Sequence, residues 1–317
     1  MSVFLRARSA PVSILILAAA GSLLASAAAP GGEGFSPETR VAGRSLRRSV
    51  EVVTGSEFGI DLGVEVFVEG RGYLYRRQAE VPRPAASAIK AFVLLDLIRE
   101  APPVDGVPHG AQRLLYPGVH IGFSGFSGAE LARARTVLAG KTYGDLARIM
   151  MGRTESPNDV YNAACNLLMI KLGGPRRIAA RVRGYHPEFA TVDINRYMQR
   201  WNHDGDNRVS PSALVALYRM VSEGRVPGLD PPAVARLREL LLEEGNGGPG
   251  SRFGKQGTLY PDPMARIQAG YREREGGDVV FAVMGELRNT GTLADRDAFV
   301  VLLAAVDSVA AMCAKLP

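Results

Sequence analysis

The chain has 317 residues, 46% of them hydrophobic and 22% charged, and a formal net charge of +6. Such a composition excludes a disordered or fibrous protein, and the interspersed acidic and basic residues form no basic stripe with interleaved aromatics of the kind nucleic-acid binding requires. The four histidines, His109, His120, His186 and His203, lack metal-ligand spacing, so neither a metal nor another cofactor is expected.

Taken in chain order, residues 1–27 read as a secretory signal peptide. Arg6 and Arg8 form the positive start, Val12 to Leu24 the apolar stretch, and Ala25-Ser26-Ala27 a small-residue cleavage site. A periplasmic or secreted product starting near Ala28 follows, with no stable membrane span after cleavage and no later segment expected to form one. Its net charge is +4 once Arg6 and Arg8 are lost. Residues 28–45, rich in Gly, Pro, Ser and Arg, read as a flexible lead-in. The remainder, 46–317, is long enough for one large domain with a sizeable core. Cys165 and Cys313 permit one disulfide in an oxidising compartment, but both lie in apolar helical contexts that suit buried thiols.

Alternation of apolar and polar residues from Phe58 to Val68, a Gly70-Arg71-Gly72 turn and a second short run, Tyr73 to Arg76, predict a hairpin. Pro82 and Pro84 end it. Ser87 to Arg99 is helix-compatible and apolar on nearly every face, as a central buried helix would be. The Pro- and Gly-rich stretch from Ala101 to Gly128 reads as loop. Helices follow at 129–138, 142–151, 157–172, 176–183, 211–223 and 231–243, with Gly173-Gly174-Pro175 a strong stop signal. Strands at 254–259, 265–272 and 279–287 and a helix from Asp295 to Lys315 close the chain. Strands at both ends with helices between them predict an α+β, two-lobed fold. Its antiparallel sheet is built from both chain ends and flanked by helices, and an all-helical lobe over about 101–250 is inserted in it.

Ser87-Ala88-Ile89-Lys90 puts a hydroxyl and an amine three positions apart, so on a helix both emerge on one face within a turn. A lysine in an apolar helix has its charged form disfavoured, which is what a base requires. Lys255-Gln256-Gly257-Thr258 opens a strand with a lysine able to hold an anion, and its glycine allows a substrate backbone to approach closely. Each motif taken alone is weak: a capping serine with a solvated lysine, and an ordinary edge strand, are the plain readings.

In their order and surroundings these elements resemble the class A β-lactamases and related penicillin-binding proteins. The likeness covers nearly all of the mature chain and includes Gly140-Lys141-Thr142-Tyr143-Gly144-Asp145-Leu146-Ala147-Arg148 and Asn162 to Pro175. The resemblance implies that Ser87 is acylated, Lys90 activates it and Lys255 helps bind a substrate carboxylate. It places the oxyanion hole at the N–H groups of Ser87 and Thr258, with Gly257 beside them. The middle Ser-x-Asn motif has two registers. Ser156-Pro157-Asn158 supplies a proton-relaying hydroxyl and a substrate-contacting amide, whereas aligning Asn162 to Leu168 with the family's helix puts Val160 in the serine position and Asn162 in the other. Both stay open.

Two departures stand out. The family's deacylating glutamate is missing from Ala190 to Ser222, where Arg196 or Tyr197 falls near its place, and Gln256 replaces the usual Ser or Thr of the third motif. The expected activity is therefore a serine hydrolase acting as a monomer on a β-lactam, a peptidoglycan peptide or a related amide or ester, with slow deacylation. A D-alanyl-D-alanine peptidase or a non-catalytic binding module of the same fold are the alternatives.

Overall fold

A computed structural model describes residues 34–56, 58–100, 111–200, 205–287 and 294–317. The signal segment 1–27 and the start of the expected lead-in lie outside the described residues. The rest of the lead-in is corrected: from Pro37 the chain is already helical, in α1 (Pro37–Thr54), which Ser36 caps by accepting a hydrogen bond from the Thr39 amide.

After α1 come β1 (Ile60–Val68), β2 (Gly72–Arg77) and the short β3 (Arg83–Pro84). The helical part comprises α2 (Lys90–Glu100), a turn α3 (Ala111–Leu114), α4 (Gly128–Leu138), α5 (Tyr143–Met151), α6 (Asn158–Lys171) and α7 (Pro175–Tyr185). It continues through β4 (Arg208–Val209), α8 (Pro211–Ser222) and α9 (Pro231–Leu241). The chain ends in β5 (Leu242–Glu244), β6 (Arg252–Leu259), β7 (Ala265–Arg272), β8 (Val279–Leu287) and α10 (Ala294–Ala314). Besides α1, the sequence reading missed β5, absorbed there into a helix, α3, inside an expected loop, and the short β3 and β4.

The sheet is antiparallel with the order β2-β1-β8-β7-β6-β5, so the first long strand pairs with the last, from Ile60↔Leu287 to Val68↔Val279. The predicted α+β architecture is thus present. Strand side chains alternate between faces. Leu62, Val64, Val66, Phe281 and Val283 pack with α1 and α10, while Phe253, Ile267, Ala269, Tyr271 and Met284 join the core of the helical lobe. That alternation decides the site: on β6, Lys255 and Gly257 share Phe253's face, towards the helices, and Gln256 and Thr258 take the other.

Cys165 and Cys313 belong to these two different cores and are unpaired. A second correction concerns α10, since Arg296–Ala314 is long and apolar enough to cross a membrane. Here it packs on β7, β8 and α1, and its Asp307 pairs with Arg266 of β7.

α2 is the centre of the helical lobe, buried from Lys90 to Ile98. Its fully buried Asp96 accepts two hydrogen bonds from Arg181 of α7, at 2.9 and 2.5 Å, and one from the Tyr185 hydroxyl at 2.5 Å. This charge-assisted fork fixes α2 against α7.

Candidate functional site

Every residue from Arg83 to Ile98 is buried except Ser87, which is half-exposed. It does not stand on the α-helix that the sequence suggested: Ala86–Ile89 form a 3-10 turn, and α2 starts at Lys90. Ala86 has φ 47°, left-handed backbone that alanine adopts at a cost of about 1 kcal/mol. The turn is held from outside, because the Ala85 N–H donates to the Asn207 carbonyl at 2.8 Å and β3 pairs with β4.

Lys90 is almost fully enclosed, and its Nζ donates to Asn162 Oδ1 at 2.9 Å. Burial pushes its amine down to about 8, so a neutral form is within reach near neutral pH. The Ser87 hydroxyl has no hydrogen-bond partner among the described residues, and its half-exposure leaves it open to an incoming group.

Of the two registers, it is Asn162 that reaches Lys90. Asn158 is exposed at the first turn of α6, and the Ser156 amide donates to the Tyr161 hydroxyl at 3.0 Å, which itself donates to the Thr154 carbonyl. Val160 is fully buried. The geometry thus turns away from Ser156 and Asn158 and towards Asn162.

β6 lies against the serine turn so closely that a Cβ at Gly257 would stand 2.7 Å from both the Ser87 nitrogen and the Ala86 Cβ, and 3.1 Å from the Ala88 nitrogen. Only glycine allows this approach. Two residues earlier, half-buried Lys255 donates from Nζ to the Met151 carbonyl at 3.1 Å. Its amine is pushed down to about 7, first by burial and then by the charges of Lys90 and Arg153. Gln256 and Thr258 turn their side chains to the other face, where Gln256 Oε1 and Thr258 Oγ1 accept from Arg266 at 2.8 and 2.9 Å. The Thr258 hydroxyl is therefore already engaged, and the group it can offer to the site is its main-chain N–H.

The described residues of the segment after α7 are tied to one another and to α6. Arg196 pairs with Asp206 at 2.8 Å, and Asn207 Oδ1 accepts from the amides of Asn195 and Arg196. Fully buried Asn166, one turn beyond Asn162 on α6, donates to the carbonyls of Gly122 and Met198 and accepts from the Met198 amide. Met198, rather than Arg196 or Tyr197, is therefore the loop residue tied to α6; Tyr197 stacks edge-on with His120. The described carboxylates of the loop all have partners: Glu188 meets Arg219, Asp193 meets Asn195 and Asp206 meets Arg196.

Asn166, Asn207 and Arg153 were missed in the sequence reading. Two asparagines four apart in an apolar helix were a usable sign for Asn166, because i and i+4 share a face. Asn207 and Arg153 act through main-chain groups and left no such sign. Cys165, whose burial pushes its thiol up to about 11, lies near both lysines as an unreactive neighbour. Among the described residues no three His, Cys, Asp or Glu side chains are grouped to hold a metal ion.

No protein-family model matches the sequence, and no curated protein matches it. Solved structures do. The chain is similar to the β-lactamase from Sphaerobacter thermophilus DSM 20745 at 18% identity and a TM-score of 0.56, over 84% of this chain and 96% of that one. The β-lactamase from Streptomyces albus G matches at 19% identity and a TM-score of 0.56, over 83% and 98% of the two chains. A class A β-lactamase from Mycobacterium abscessus matches at 20% identity and a TM-score of 0.56, over 84% and 96%. The chain therefore has the fold of the class A β-lactamases.

Proposed function

We propose that this chain, built on the class A β-lactamase fold, is an exported serine hydrolase that forms an acyl-enzyme on Ser87 with a β-lactam, a peptidoglycan peptide or a related amide or ester. The observation that carries the proposal is the half-open Ser87 set between the buried Lys90–Asn162 pair and the close-lying strand at Gly257. In this reading neutral Lys90 takes the hydroxyl proton as Ser87 Oγ bonds to the substrate carbonyl carbon, and the N–H groups of Ser87 and Thr258 bind the oxyanion. When the C–N or C–O bond breaks, the Lys90 ammonium returns the proton to the leaving group. Asn162 orients Lys90, and Lys255 holds a substrate carboxylate.

The engaged loop carboxylates favour slow deacylation, and so a penicillin-binding or peptidase-like protein over an efficient lactamase. The test is intact-protein mass after incubation of secreted wild type and Ser87→Ala with benzylpenicillin. A persistent adduct is expected on wild type and none on Ser87→Ala, a loss of at least ~10³-fold in acylation rate. The same masses should place the mature N terminus at Ala28. An adduct on both proteins means another nucleophile, and an adduct on neither turns the reading towards a peptide substrate or a non-catalytic binding module.

The two amines also set a pH dependence. Lys90 must be neutral to act as base, so acylation rises as pH climbs through about 8; Lys255 must be charged to hold a carboxylate, so that contact fades as pH climbs through about 7. An anionic substrate should give a narrow maximum between these values, and a neutral ester a rise to a plateau. Identical profiles for both, measured as acylation rate against pH, would remove Lys255 from carboxylate binding.

A further inference from the structure

Arg153 acts on Lys255 and has no place in the chemistry above. α5 ends at Met151, and Gly152 takes a left-handed conformation, φ 75°, with its N–H on the Arg148 and Ile149 carbonyls. This leaves the Met151 carbonyl, one of the helix's unsatisfied terminal acceptors, free to take the Lys255 ammonium. The same reversal sends Arg153 back towards the sheet. Its Nε donates to the Leu240 carbonyl at 2.9 Å, and its Nη2 to the carbonyls of Leu241 at 3.0 Å and Gly254 at 3.1 Å. Gly254 is the residue before Lys255, so one three-residue turn grips Lys255 at its ammonium and at its preceding peptide.

We propose that Arg153 is a positioning residue for Lys255, and that the 151–153 turn is a two-point clamp which sets the alkaline limit of anionic-substrate recognition. The proposal rests on the reading that Lys255 holds a substrate carboxylate. The clamp has two separable effects. The guanidinium fork fixes where β6 begins relative to α5 and α9, and its permanent charge works against a second positive charge at Lys255. Around that amine, Lys90 of α2 and Arg153 disfavour the charged form, whereas Glu243 of β5 and Cys165 of α6 favour it.

The experiment separates clamp from catalysis. The sequence has lysines only at 90, 141, 171, 255 and 315, so 13C-lysine labelling gives a resolvable NMR titration of each amine without any turnover. In Arg153→Met, Lys255 should titrate at higher pH than in wild type, and acylation by an anionic penicillin at pH 9 relative to pH 7 should be retained about 3-fold better or more. Arg153→Lys, which keeps the charge but loses the fork, should leave the Lys255 titration in place and raise KM for the anionic probe, with little change for a neutral ester. A folded Arg153→Met with an unmoved Lys255 titration overturns the electrostatic half, and an Arg153→Lys with wild-type KM overturns the positioning half. If no probe acylates wild type, the functional reading fails, and the NMR titration still decides whether Arg153 governs Lys255.

Discussion

Gly257→Ala is expected to reduce acylation of Ser87 by about 10²–10³-fold, the loss seen when an oxyanion donor is misplaced. The added methyl would meet the Ser87 nitrogen and the Ala86 Cβ at 2.7 Å, closer than a Cβ can come to either. Neither neighbour can yield by rotating a side chain. The serine turn is held by the Ala85–Asn207 bond and the β3–β4 pair, and β6 is held along its length by β7 from Arg252↔Arg272 to Leu259↔Ala265. Something in the main chain must move, which costs about 1–3 kcal/mol of stability as well. Gly184→Ala is the control: a Cβ there meets nothing within 4 Å, and alanine in a helix should stabilise slightly. Near-wild-type acylation in Gly257→Ala, read from stopped-flow or quenched-mass time courses, would mean that β6 takes no part in stabilising the oxyanion.

The largest effect on stability should come from Arg181→Met, expected to cost about 3–5 kcal/mol in urea unfolding because it leaves a carboxylate buried without its counter-charge. Asp96 has no exposure at all, and Arg181 supplies two of its three hydrogen bonds. Arg181 also donates to the Leu172 carbonyl at the end of α6, so its loss loosens the joint between α6 and α7 beside α2. The double variant Asp96→Leu/Arg181→Met removes both charges and should recover most of the loss, since an apolar pair of similar size often matches a buried ion pair. If the single and double variants are equally unstable, packing rather than the unpaired charge dominates. Since α2 begins at Lys90, the single variant should also slow acylation more than its unfolded fraction explains.

Much of the fold was legible because its signals are local. Period-2 alternation marked β1, the apolar run after Pro84 marked α2, and Gly173-Gly174-Pro175 marked the end of α6, each within a dozen residues. Ser87 and Lys90 were legible for the same reason. β5 was not, because three residues carry no periodicity and become a strand only by pairing with β6. α1 was misread at its start because arginines and a glycine resemble a linker until Leu46, Val50 and Val53 are seen against the sheet.

By itself, then, the sequence determined where the long strands and most of the helices lie, that they form a sheet from both chain ends around a helical insert, and which serine and lysines are worth testing. The tertiary structure decided what stands next to what. It brought Asn162 rather than Asn158 to Lys90, turned Gln256 and Thr258 away to Arg266, tied Met198 to Asn166 and closed Arg153 onto the strand that bears Lys255. The physical reason is one of range. Propensity and periodicity act over a few residues, whereas these contacts join positions from 8 to 101 residues apart and are selected by the burial of polar groups that must find partners wherever the packed chain provides them.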